Sequence, residues 1–427
     1  MTTIYHKKLN VNVILNKLIL VFTALLFASF IIFTTDSWGK YVVIVLAGFI
    51  YLLAILANNG KLFIKFGAYQ FLFLAFTMYA AASSIWAINS SDALVATGTL
   101  IQLLICGSLV YWHYVKQGDI YGLLTAIKWS GIIVGVYTLV VCGVQEVVQA
   151  AITNRLGLEF ANVNTIGMAC ALSCVIQVFE WIFFRKIHLF EVVLIVPLIL
   201  VVAATQSRKA IVYVIAGILL LVFFKNIDRK DFLKNIFKLI FSLLLIGLIF
   251  VALLQLEIFD GVKERLTGMF NSFLGTGEID ASTEERNNMV ELGFYLWMKQ
   301  PMLGYGISNA HIFVNKYMEL DTYLHNNYVE LLCGGGLVGF CLYYAMHVYL
   351  FVSFIKYRKV SKPLFSICMT WLLLIIMMDW GNVSYLQKSD SGYLMSLFVA
   401  VKYLEMKNKE ETGRMKFGLA GADIMQR

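Results

Sequence analysis

Long apolar runs separated by short polar stretches dominate the chain from residue 13 to residue 405. A run of about 20 apolar residues crosses a ~30 Å hydrocarbon core as a helix. The pattern predicts about twelve such spans, near 13–34, 41–57, 66–86, 94–115, 122–148, 164–184, 190–206, 210–224, 237–256, 327–350, 363–381 and 391–405. Short strands of alternating polarity, the mark of a transmembrane β-barrel, are absent. The expected fold is therefore all-α, a polytopic transmembrane helical bundle. Residues 1–256 carry spans one to nine, 257–326 form one large loop, 327–405 carry spans ten to twelve, and 406–427 form a tail.

The loop breaks the rhythm. A segment of this length is usually functional or disordered, and "NNMVELGFYLWMKQPMLGYGISNAHIFVNKYMELDTYL" is too rich in aromatic and aliphatic residues for disorder. From Ser282 to Lys299 it reads as an amphipathic surface helix, with a Ser-Thr start, Glu284 and Glu285 in the first turn and Pro301 as the stop. Met289, Leu292, Leu296 and Trp297 supply one apolar stripe.

Composition and charge sharpen this picture. The 427 residues are 60% hydrophobic and 14% charged, which excludes an ordinary soluble protein. Cytoplasmic loops collect Lys and Arg. With both termini cytoplasmic, that side holds 24 of the 34 Lys and Arg, and the long loop lies outside. The same bias accounts for the formal charge of +8 without nucleic acid as a partner. The start "MTTIYHKKLN" leads into an apolar run without a small-residue cleavage site, so the first span is expected to be retained. The seven cysteines form no C-x-x-C pair and are expected to be packing residues, neither metal ligands nor a disulfide framework.

Candidate chemistry gathers near the external face. Arg155 precedes the sixth span, Arg208 lies between spans in "TQSRKA", Arg286 begins the surface helix, and His325 ends the loop in "DTYLHNNYVELLCGGGLVG". Arginine near hydrocarbon is costly unless it snorkels or meets an anion. Its planar fork matches phosphate oxygens bidentately. An imidazole beside such cations is held neutral and can accept a proton, and a positioned base contributes about 10²–10⁴-fold to rate. Gly334, Gly335, Gly336 and Gly339 are expected to let helices approach closely, and Gly304 and Gly306 to make a turn.

These residues, in this order, resemble the O-antigen ligase and polymerase family of bacterial envelope enzymes. The carrying stretches are "RNNMVELGFYLWMKQPMLGYGISNAHIF…LHNNYVELLCGGGLVG", "TNRLGLEFANVNTIGMA" and "TQSRKA". The sequence departs from the family pattern at Lys209, usually glycine, and at Val163, commonly proline. The resemblance implies a GT-C-like bundle on the bacterial cytoplasmic membrane with its active site facing outward. Such an enzyme transfers a glycan from a polyprenyl pyrophosphate to an acceptor hydroxyl, with no cofactor and no metal. By the same resemblance His325 would be the general base, Arg208 and Arg286 would bind the pyrophosphate, and Arg155, Asn164, Asn326 and Lys209 would support them. The implied partners are the polyprenyl-pyrophosphate-linked oligosaccharide, an acceptor glycan, and a chain-length regulator and flippase of the same pathway. The direct displacement it implies, with one base, inverts configuration.

Two acceptors remain open, a second lipid-linked repeat (polymerase) or a lipid A core or protein (ligase). The expectation favours the polymerase, making capsular, O-antigen or exopolysaccharide. A flippase or transporter is the competing class; internal repeats and mid-span charges, its usual signs, are not evident in the sequence.

Overall fold

The computed structural model describes residues 2–33, 38–153, 155–157, 161–185, 189–227 and 281–425, with scattered positions between 237 and 267. Among the described residues the structure is helical and contains no strand. In chain order the elements are α1 (Thr2–Ile32), α2 (Gly39–Ala57), α3 (Ala68–Ser83), α4 (Ser90–Gln117), α5 (Ile120–Cys142), α6 (Val144–Ile152), α7 (Val163–Phe184), α8 (Leu189–Ala204), α9 (Arg208–Asn226), α10 (Ala281–Lys299), α11 (Ala310–Met318), α12 (Asn327–Tyr357), α13 (Lys362–Met378) and α14 (Lys388–Met425).

Seven of these (α1, α2, α4, α5, α7, α9 and α12) are long and apolar enough to cross a membrane, and α3, α8 and α13 are shorter apolar helices. A helix lies at each predicted span except 237–256, which falls largely outside the described residues, as does the loop before 281. The predicted span 122–148 is divided at Gly143, whose φ of +83° ends α5 and starts α6. Polar residues set other boundaries. Asn89, Asp119, Asn162 and Ser207 each accept a backbone N–H in the first turn of α4, α5, α7 and α9.

Charge also lies within the packing of the bundle, at Lys128 of α5. Lys128 is 3% exposed, and its ammonium lies 2.6 Å from Glu180 and 2.8 Å from Glu191, joining α5, α7 and α8. Asp379, expected to reach an interface, is likewise buried at 1% exposure.

The main departure from expectation is in α12. Tyr328 and Tyr344 would stand about 24 Å apart along a straight helix, yet their rings stack at 5.1 Å. The chain therefore doubles back. The reversal is at Gly336, whose φ of 58° and ψ of −167° are non-helical. It leaves a short limb, 327–335, folded against a long limb, 337–357, which at about 30 Å matches the hydrocarbon thickness. The predicted tenth span thus does not run straight through 327–350.

Breaking a helix frees backbone groups that need partners. The segment after Pro301 supplies them. Tyr305 N donates to Cys333 O at 3.0 Å and Gly306 N to Gly334 O at 2.8 Å, while Leu337 N donates to Pro301 O at 2.8 Å. Tyr79 of α3 donates its hydroxyl to Gly335 O at 2.6 Å. The fit is close enough that a Cβ on Gly304 would lie 2.5 Å from Gly336 N, and one on Gly336 would lie 2.3 Å from Met302 O. The two glycine groups, expected to serve helix packing and a turn separately, are the two faces of one interlock. Gly304 and Gly306 do turn the chain, with φ of +64° and +100°.

The predicted surface helix is α10. Met289 and Leu296 are each 2% exposed and pack with Ala310, Val314, Leu324, Val329 and Cys333. This second, smaller core fixes α10 and α11 onto the short limb.

Candidate functional site at the start of the short limb

The short limb delivers His325. Its first N–H groups are capped by Asn326, whose side-chain oxygen accepts from Tyr328 N at 3.0 Å and Val329 N at 3.2 Å. Glu330 reaches back to accept from Leu324 N at 3.0 Å. His325, between these anchors, takes a left-handed φ of +55°, uncommon for a side-chain-bearing residue. Asn326 is fully buried in this work. Expected among the supporting residues, it holds the limb through its cap.

Asn327 clasps the limb to the turn after α13. Its N–H donates to Asp379 O at 2.8 Å, and its side-chain oxygen accepts from Ser384 N at 2.9 Å and Tyr385 N at 3.3 Å. Its amide donates to the Tyr344 hydroxyl at 3.0 Å and to the Asp379 carboxylate at 3.3 Å. Asp379 also accepts from Tyr344 at 2.8 Å and from the Ser384 hydroxyl at 2.6 Å.

The His325 ring lies 4.3 Å from the Tyr323 ring, and its Nε2 is 3.4 Å from the Thr322 hydroxyl oxygen. Burial is the first cause that pushes its pKa down to about 4, followed by the charges of Arg286 and Lys209. The imidazole is thus neutral at pH 7. The direction agrees with the sequence expectation, although burial outweighs the cations.

The cations come from three elements. Lys209, second residue of α9, donates its ammonium to Gly381 O, and the charged groups acting on it are Arg286, Asp390 and Arg155. Arg208 donates to the Thr283 hydroxyl at 3.2 Å, tying the start of α9 to α10 one turn before Arg286. Arg155 donates to Asn164 at 2.7 Å and to Thr205 O at 3.1 Å. The charges of Arg286 and Lys209 thus reach His325, the charge of Arg155 reaches Lys209, and Arg208 is tied to the start of α10 through Thr283. Neither departure from the family pattern disturbs the backbone. Lys209 follows a regular Ser207 cap, with the turn carried by Gln206 at φ +44°, and Val163 opens α7 under the Asn162 cap.

The sequence reading missed Tyr323, Thr283 and two carboxylates. Asp379 and Asp390, with Asn382, Ser384, Tyr213 and Tyr393, line a cavity that also involves Met168, Ile375 and Met378. Their signal was present, since both acids lie at the ends of apolar runs, where charge is expensive.

A helical bundle this rich in candidate spans fits a multi-pass membrane protein, and it carries a neutral imidazole within the electrostatic reach of guanidinium and ammonium groups. A protein-family model described as O-antigen ligase matches residues 192–344, so the chain carries an O-antigen ligase family domain there. The domain includes Arg208, Lys209, Arg286 and His325 and leaves out Arg155 and Asn164. The matched stretch, about a third of the chain, is similar to proteins described as O-antigen ligases. A comparison with curated proteins gives no match.

Proposed function

We propose that the protein polymerises polyprenyl-pyrophosphate-linked oligosaccharide repeats on the external face of the cytoplasmic membrane. The observation that supports this reading is that His325 lies within reach of the charges of Arg286 and Lys209, while Arg208 is bonded to Thr283 at the start of the helix that carries Arg286. His325 takes the proton of the acceptor hydroxyl as that oxygen attacks the anomeric carbon of the donor sugar. The sugar–phosphate bond breaks from the opposite side, inverting configuration and releasing polyprenyl pyrophosphate. Arg208, Arg286 and Lys209 hold the diphosphate and stabilise the charge that develops on it. Arg155 and Asn164 brace Lys209 and the start of α9. Diphosphate binding also sets negative charge against the groups that depress the imidazole, so the base strengthens when the donor is seated.

The family description favours a second reading, a ligase that passes the finished glycan to a lipid A core or a protein. Glycan from a strain lacking the protein separates the two, since single repeats on the acceptor mark a polymerase and free long chains mark a ligase. The direct test incubates purified protein with a defined lipid-linked repeat, with and without chelator. Chain growth in both supports a metal-independent polymerase. An unchanged substrate in both would overturn it.

A further inference from the structure

α10 carries two different stripes in its C-terminal half. Phe294 and Met298, one turn apart, continue into Met302 and Leu303, and all four are exposed apolar side chains. Leu303 accepts hydrogen bonds from Tyr79 and Trp86, which joins this stripe to the end of α3. The neighbouring stripe, about 100° round the helix, holds Tyr295 and Lys299 and faces α11.

On that second side lies an aromatic and cationic patch. The Lys299 ammonium sits 4.1 Å from the centre of the Tyr295 ring. Tyr305 and Tyr317 are the other groups acting on it, and among the described residues no carboxylate pairs with it. Lys316 lies 5.4 Å over Tyr317, and Phe313 packs edge-on against Tyr305 at 4.7 Å. Tyr295 and Tyr317 are 49% and 56% exposed. Two ammonium groups set among tyrosines offer flat faces for sugar rings, phenolic hydroxyls for sugar hydroxyls, and positive charge suited to an anion.

We propose that Tyr295, Lys299, Tyr305, Lys316 and Tyr317 form a binding subsite for carboxylate-bearing sugars of the acceptor glycan. This rests on the polymerase or ligase reading above, because it supposes an acceptor chain reaching His325. Along α10 the patch begins about 14 Å from Arg286 and reaches about 20 Å from it, the place of sugars already joined and not of the bond being made. The unpaired ammonium selects an acidic glycan over a neutral one. The separate apolar stripe on Phe294 and Met298 is the side suited to lipid, which argues against the tyrosine patch as a membrane anchor.

The test uses detergent-purified full-length protein and two probes, a tetrasaccharide of uronic acid and a neutral tetrasaccharide of glucose, with binding followed by calorimetry. The uronate is expected to bind at least about tenfold more tightly than the neutral sugar, and more weakly as salt rises. Lys299→Gln and Tyr317→Ala should each lower uronate affinity about tenfold, whereas His325→Ala should leave it unchanged. That last variant keeps the subsite separate from the catalytic assignment. Equal binding of both sugars, or wild-type uronate affinity in Lys299→Gln, would overturn the proposal. So would variants that lose only adsorption to vesicles containing phosphatidylglycerol, which would make the patch a lipid contact.

Discussion

Replacing Gly336 with alanine should disable the protein from a position without catalytic atoms. At φ 58° and ψ −167° the backbone is in a region open essentially to glycine, and a side chain there costs about 1–3 kcal/mol. The added Cβ would also lie 2.3 Å from Met302 O and 2.6 Å from Leu303 N. Relieving that contact pushes the 301–303 segment away and breaks the bonds from Leu337 N to Pro301 O and from Val338 N to Met302 O. Each is worth about 0.5–1.5 kcal/mol, so the total is about 2–6 kcal/mol. Gly335→Ala is the matched control, because its Cβ meets only the tip of Ile307 at 3.0 Å and Tyr79 at 3.6 Å, without a positive φ. Thermal unfolding in detergent and polymer yield should both fall sharply for Gly336→Ala and little for Gly335→Ala. Equal effects of the two substitutions, or a Gly336→Ala protein as stable and active as wild type, would refute the interlock.

Other outcomes follow from the site and the core. His325→Ala should abolish product with insertion and folding retained, and Arg208→Lys, which keeps charge but loses the fork, should cut turnover at least about tenfold; full-length polymer from the histidine variant would remove its assignment. With His325 held near 4, the acid limb of the free enzyme's rate profile should fall near pH 4 and not near 6.5, and Arg286→Gln should move it upward. The same depression makes the unfolded chain bind the proton more readily between pH 6.5 and about 4, so this contribution to stability is lost as pH falls through that window. Lys128→Met leaves Glu180 and Glu191 without their shared cation and should cost about 3–5 kcal/mol; an unchanged melting curve would contradict that.

Apolar run length was a sound guide to the helices, because crossing hydrocarbon imposes a length that packing cannot override. It failed at α12, where the short limb is as apolar as a true span and the reversal depends on one glycine meeting a loop some thirty residues upstream. The candidate residues were legible as types with an order, and the fold puts His325 within reach of the charges of Arg286 and Lys209. Asn326 was legible as a supporting residue, and its cap of α12 is a role that an asparagine before an apolar run ordinarily takes. The pairing of Asp379 with Asp390 escaped notice because eleven residues of sequence separate acids that the turn between α13 and α14 places on one cavity.

The Asn327 clasp has a consequence for biogenesis. Its partners, Asp379, Ser384 and Tyr385, are made more than fifty residues after it. While the ribosome is still producing α13, the limb after His325 is held by α10, α11 and the segment after Pro301 but lacks its ties to the turn after α13, and Lys209 waits for the carbonyl of Gly381. The surroundings of His325 are therefore completed late in synthesis, and on the proposed reading a nascent chain cannot act before its final hairpin is in place.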